Sequence, residues 1–132
     1  MSIEPEQGIS SETIYEGKII KVIREQVRIA NGNIRARDIV VHPGAVALVP
    51  INNDGKVIMV RQYRRAAGRV LLEIPAGTRE PNEDAEACAL RELAEETGYT
   101  AGEVVRLGGF YSAPGFCTEY LDCFLMTNLS EK

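Results

Sequence analysis

The chain has 132 residues, 45% of them apolar and 26% charged, with a formal net charge of −4. This length and composition suit one soluble domain that buries a core. The acidic balance argues against a general binder of nucleic-acid backbones, and a phosphorylated substrate would need metal ions or local arginines to offset repulsion.

Residues 1–12, MSIEPEQGISSE, are polar and acidic and read as a flexible tail, not a signal peptide. Runs rich in β-branched residues follow at Thr13–Ile29, broken near Glu16-Gly17, and at Ile34–Val41. Ala-Asn-Gly-Asn at 30–33 predicts a turn between them, hence an antiparallel hairpin over about 13–42. Ala45–Pro50 and Lys56–Gln62 read as two further strands joined by a turn at Asn52–Gly55. Val70–Ile74 is short and apolar, and Pro75-Ala76-Gly77 breaks it. A helix is predicted from about Glu83 to Glu96, with Asn82 as its N-cap and Gly98 as its left-handed C-cap. Val104–Tyr111 and Tyr120–Met126 read as strands around the loop Ser112–Phe116. Many strands around one helix give an α+β class. The odd set Cys88, Cys117 and Cys123 lacks metal-ligand spacing and argues for a reducing compartment. No apolar run approaches the roughly 18 residues of a membrane span, so the cytoplasm is the expected location.

The helix carries the chemistry. At about 100° per residue, Glu92, Glu95 and Glu96 share an arc of roughly 100°, and Leu90 and Leu93 face away from it. The leucines bury the helix, so the glutamates face a cleft or water. Glu92 and Glu96, four apart, are neighbours whose like charges repel. A solvated face is one reading. A divalent-cation site is the other, because a hard ion converts that repulsion into coordination. The cluster lies at the C-terminal end of the helix, where the dipole disfavours acids. The Pro-Ala-Gly turn can bring a backbone carbonyl toward it. Arg91, four before Glu95, can pair with that carboxylate.

The order Gly77, five residues, Glu83, seven residues, Arg91-Glu92-Leu93, one residue, Glu95-Glu96, one residue, Gly98-Tyr99 resembles the signature of the Nudix hydrolases at every fixed position. The resemblance implies the Nudix fold, an α/β/α sandwich with a mixed sheet, and metal-dependent cleavage of nucleoside diphosphates linked to another group. Glu92 and Glu96 then resemble the principal metal ligands. Glu95 resembles a further ligand or the catalytic base, the Ala76 carbonyl a further ligand, and Arg91 the residue that orients the glutamates. Glu83 is structural or lies behind the ligands, and Gly77 and Gly98 are turn positions needing a permissive backbone. The implied ion is Mg²⁺, with Mn²⁺ chemically allowed.

The flanks are similar to the ADP-ribose pyrophosphatase branch. They comprise Val60–Arg64, Leu72–Gly77, His42–Pro50 after the hairpin, and Ser112–Gly115, whose Pro114 falls 16 residues past Gly98. That similarity covers about residues 13–126. It implies hydrolysis of ADP-ribose to AMP and ribose 5-phosphate, and a homodimer in which the hairpin packs on a second subunit. Arg64 would contact phosphate or ribose, unless it is a plain surface charge. Arg37 would reach the partner's substrate or be a plain surface charge, Glu73 would lie behind the metal or play no part there, and Pro114, Gly115 and Phe116 would border the terminal ribose or form a plain loop between strands. Tyr63 and Tyr111 are core or adenine-stacking, His42 is structural rather than a general base, and Cys88 is semi-buried. The branch continues past the strand near Met126 with another helix and often a loop glutamate that activates water. Domain 43–132 therefore reads as truncated, its C-terminal helix missing. Another nucleoside diphosphate sugar or dinucleotide as substrate, or a weakly active nucleotide-binding module, remain open.

Overall fold

The computed structural model describes residues 2–132; Met1 of the expected tail lies outside them. Among the described residues there are nine strands and one helix, and the strands form three sheets: β1-β2-β3, β7-β4-β9-β8 and β5-β6. The chain divides into two compact units, residues 1–43 with 111–119, and residues 44–110 with 120–132.

The first unit is built on the antiparallel strands β1 (Gln7–Glu16), β2 (Lys21–Arg28) and β3 (Ile34–Val41). The predicted hairpin is β2-β3, with Lys21 opposite Val41 and Arg28 opposite Ile34. Its turn forms because Gly32 takes a positive φ of 87° and the Asn31 side chain accepts from the Asn33 N–H at 2.9 Å. The hairpin gains a third strand: Gln7–Glu12, expected in a flexible tail, form the first part of β1. Polar composition alone hid this, since every β1 residue is exposed and no apolar alternation marks it. Val27 is the one buried apolar residue of the sheet.

The second unit carries the core. β4 (Ala45–Pro50) lies between β7 (Ala76–Thr78), antiparallel, and β9 (Tyr120–Glu131), parallel; β8 (Tyr99–Tyr111) flanks β9. The sheet is mixed, as the resemblance implied. An almost continuously apolar strand, Ala-Val-Ala-Leu-Val-Pro, suits the centre of a sheet. With its edges taken by β7 and β9, β4 offers the segment that follows only its last residue, Pro50. The Asn52–Gly55 turn forms as predicted, the Asn52 side chain accepting from the Asp54 and Lys56 N–H groups, but the pairing across it is short: one bridge between Ile51 and Val57, with the Asn52 N–H on the Lys56 carbonyl and the Ile58 N–H on the Pro50 carbonyl. Strand β5 (Val60–Arg64) pairs instead with β6 (Arg69–Glu73).

Helix α1 (Ala85–Thr97) lays Cys88, Ala89 and Leu93 on Val46, Leu48, Phe124, Met126 and Leu129. Its N-cap is Asp84, which accepts from the Ala87 N–H, and not Asn82, which sits at a φ of 61° in the preceding turn. Gly98 is the C-cap at a φ of 77°, as predicted. Cys88 is fully buried in this core, and burial pushes its thiol up to about 12. Among the described residues no helix is long and apolar enough to cross a membrane. Burial predicts the weight of each leucine. Leu93→Ala should cost about 2–5 kcal/mol of stability, and Leu72→Ala, on an exposed face, under about 1 kcal/mol. Urea unfolding followed by circular dichroism measures both.

Candidate active site

Arg91 sits at the centre of the acidic helix. Its Nε and Nη2 donate to the two Glu83 carboxylate oxygens at 2.8 and 2.9 Å. Its Nη1 donates to Glu92 at 2.9 Å and to Glu95 at 3.2 Å. Nη2 also points at the Thr78 carbonyl at 3.4 Å. One planar cation therefore ties β7, the turn before the helix and one face of α1 together. Its acidity is weakened further, first by the Glu83 hydrogen bond. Glu83 stands outside the helix because the Glu80–Glu83 turn closes on it. Its N–H donates to the Glu80 carbonyl, and its carboxylate accepts from the Glu80 N–H, both at 3.0 Å. The pairing expected between Arg91 and Glu95 exists, and Glu83 is the stronger partner.

The three helix glutamates differ. Glu92 is buried at 9% exposure, and desolvation pushes its carboxyl up against the pull of Arg91. Gly77 is what admits it: a Cβ there would fall on the Glu92 carboxyl group. Gly77 thus serves close packing, not an unusual φ, since its φ lies outside the left-handed region. Glu95 is 59% exposed and is held by Arg91. Glu96 is exposed along its chain and borders a cleft of about 220 Å³ with Val60, Arg61 and Gln62. Its carboxyl is held above the usual range, first by desolvation and then by the Glu92 charge, while the Ala76 N–H bonds to it and opposes the rise. The Ala76 N–H thus faces the Glu96 carboxyl.

Arg64, opposite Arg69, and Glu73, opposite Val60, reach diagonally along the β5-β6 pair to form a two-pronged ion pair at 2.7 and 2.8 Å, which lowers the Glu73 carboxyl. Both charges are felt by Glu96. Arg64 is thus neither a lone surface charge nor free of its neighbour, and Glu73 is its anchor.

The other expected substrate residues belong to the first unit. Arg37, Pro114, Gly115 and Phe116 line one cavity of about 520 Å³, together with Glu6, Tyr111 and others. The Arg37 Nε donates to both Glu6 oxygens at 3.1 and 3.0 Å. Glu6 escaped the sequence reading because it lay in a stretch taken for tail. Arg61, Gln62 and Arg79 carried no spacing signal of their own. Tyr63 and Tyr111 are more than half exposed, so neither is core. The His42 Nε2 pairs with Glu119 at 3.3 Å, and the His42 backbone N–H donates to the Thr118 hydroxyl at 2.9 Å, which fits a structural role.

A family model described as NUDIX domain matches residues 41–132. A Bacillus subtilis protein named ADP-ribose pyrophosphatase is 46% identical over 125 residues, covering 95% of this chain and 68% of its own length. The methanol dehydrogenase activator of Bacillus methanolicus is 42% identical, with 96% and 69% covered. An ADP-ribose pyrophosphatase of Mycobacterium tuberculosis is 43% identical, with 95% and 61% covered. In three dimensions the chain is similar to the crystal structure of an ADP compounds hydrolase, with a TM-score of 0.88 over 100% of this chain and 72% of that one, at 24% identity.

Arg91 and the Glu80 N–H draw the Glu83 carboxyl from 4.5 down to about 2. The folded chain therefore favours ionised Glu83, a stabilisation present above about pH 4.5 and lost as pH falls toward 2. Urea midpoints between about pH 6 and pH 2.5 should fall less steeply in Glu83→Gln than in the wild type.

Proposed function

The chain belongs to the Nudix family, and from that premise we propose that it hydrolyses the pyrophosphate bond of ADP-ribose, releasing AMP and ribose 5-phosphate. One observation carries the reading: Glu92, Glu95 and Glu96 are presented from one helix, with Arg91 aligning two of them and the third bordering a cleft. The substrate follows the names of the Bacillus subtilis and Mycobacterium tuberculosis relatives.

Nudix hydrolases generally need divalent metal ions. Among the described residues no three acidic, histidine or cysteine side chains converge closely enough to hold an ion as they stand. The donor chemistry nevertheless fits one. The oxygens are hard, and two carboxyls are raised by desolvation with like charge beside them, a combination a divalent cation relieves. Glu92 and Glu96 would hold Mg²⁺ or Mn²⁺, with Glu95 and the Ala76 carbonyl as further donors. When bound, the ion neutralises diphosphate charge and acidifies water.

The chain's own residues do the rest. Water adds to one phosphorus, the bridging P–O bond breaks, and a proton leaves the water. Glu95, the most exposed of the Arg91 partners, is assigned as the group that takes it. Arg91 keeps Glu92 and Glu95 oriented, and Arg64, braced by Glu73, offers positive charge to phosphate. Arg37, Pro114, Gly115 and Phe116 are assigned to substrate binding in the cavity of the first unit. A homodimer is part of the proposal. The exposed Ile9, Ile14, Tyr15 and Ile34 support it, as a thin sheet that buries almost nothing of its own needs a surface. Three free cysteines are in keeping with a cytoplasmic location.

Glu96→Gln should keep its circular dichroism spectrum and lose about 100-fold in kcat, a barrier increase of about 3 kcal/mol. Chromatography of AMP released from ADP-ribose measures it, with GDP-mannose as competing substrate; cleavage of GDP-mannose alone would move the proposal to another sugar. The Glu6–Arg37 pair is exposed on both sides, so it is worth at most about 1 kcal/mol. Glu6→Gln, by releasing Arg37, should lower KM by up to about fivefold. Arg37→Ala should raise KM at unchanged kcat.

A further inference from the structure

Arg79 follows β7 directly and has no part in the mechanism above. Its N–H is fastened to the Gly44 carbonyl at 3.0 Å. Its guanidinium aims two donors at one acceptor: Nη2 at 2.6 Å and Nε at 3.3 Å from the Glu83 carbonyl. From the other side Nη1 lies 3.9 Å from Asp122, whose second oxygen takes Arg106 at 2.8 Å. Arg79 is about one-third exposed and Asp122 is largely buried. The Glu83 carbonyl is thereby held from the sheet, and the Glu83 carboxylate is the principal holder of Arg91.

We propose that Arg79 is a positioning residue: by gripping the Glu83 carbonyl it fixes the carboxylate that orients Arg91, and through Arg91 it aligns Glu92 and Glu95. The inference deepens the metal-dependent reading above and rests on it for its effect on rate. The physical reason is the length of the lever. Glu83 precedes the helix, in a turn whose Asn82 sits at positive φ, so the helical hydrogen bonds of α1 do not fix its backbone. Its side chain must present two oxygens in the plane of the Arg91 fork. A small rotation of the turn would spoil that planar match, and Arg79 ties the turn to β7 and β9. A lysine keeps the charge but offers no planar pair of donors.

The test compares the wild type with Arg79→Ala, Arg79→Lys and a matched control, Arg28→Ala. Arg28 also donates to a carbonyl, that of Gly32, in an exposed turn of the first unit. The first readout needs no metal. The Arg91 Nε–H resonance should be protected from solvent exchange in the wild type and in the control, partly protected in Arg79→Lys, and unprotected in Arg79→Ala. The second is Mn²⁺ binding by electron paramagnetic resonance. The dissociation constant should rise about 10-fold in Arg79→Ala, the scale of losing a group that orients metal ligands, with partial rescue by lysine. The third is kinetic, a comparable fall in kcat at a KM for ADP-ribose within about twofold. Undiminished Arg91 protection in Arg79→Ala would overturn the proposal, as would Mn²⁺ affinity and kcat within about twofold of wild type. If Arg79→Ala does not fold, Arg79→Lys decides by the same resonance. A wild type that binds no Mn²⁺ would defeat the metal reading alone, because the Arg91 resonance still reports on Arg79.

Discussion

A single guanidinium organises this molecule's chemistry. Arg91 faces Glu83, Glu92 and Glu95 at once, and without it three carboxylates would repel across one helix turn and the approach to it. Lysine could not replace it, because a point charge does not span several acceptors in fixed directions. The arrangement also explains why acids crowd the C-terminal half of a helix whose dipole disfavours them. They are carried there by a partner and not by helix stability. The burial of Glu92 follows from the same construction. A carboxylate at 9% exposure is tolerable only with a hydrogen-bonding cation beside it, and Gly77 leaves the space it fills.

The scaffold under that site is simple. β4 is flanked on both edges and apolar along its length, and α1 packs on its sheet through a face of Cys88, Ala89 and Leu93. The glutamates border this core and do not lie opposite it: Glu92 is buried beside Cys88, Ala89 and Leu93, while Glu95 stays exposed, so packing and chemistry share adjoining faces of one helix. β7 is only three residues long, yet it brings Ala76 and Gly77 to Glu96 and Glu92 respectively. The ion pairs behind it, Arg106–Asp122 and Arg79–Asp122, extend the brace from the acidic helix into β8 and β9. The β5-β6 pair adds the Arg64–Glu73 brace, whose two charges both act on Glu96.

The first unit follows a different logic. Its three-stranded sheet buries little, exposes several isoleucines, and borders a cavity of about 520 Å³ lined from β3 and the Tyr111–Thr118 segment. In that cavity the carboxylate of Glu6 already occupies Arg37. A charged ligand entering there exchanges one anion for another on the same guanidinium. Net affinity then depends on the difference between two solvated pairs, which is small.

Much of the site was legible from order along the chain, because the groups that meet lie close in sequence. Glu92, Glu95 and Glu96 share a helix face by periodicity alone, Gly98 terminates the helix, and the 30–33 turn makes its hairpin. The spacing of Gly77, Glu83 and Arg91 identified the family. What the sequence left undecided are contacts made across space. That Gly77 makes room for a carboxylate, that β4 spends both edges on β7 and β9, that Arg64 is bound to Glu73, and that Asp84 caps the helix in place of Asn82 all depend on which backbone segments approach. Glu6 and Arg79 show the limit most plainly: each is a charged residue in a charged stretch, and only the tertiary fold sets its guanidinium or carboxylate against a distant partner. Local periodicity encodes which face a side chain takes; the partner it meets there is settled by the packing of segments distant in the chain.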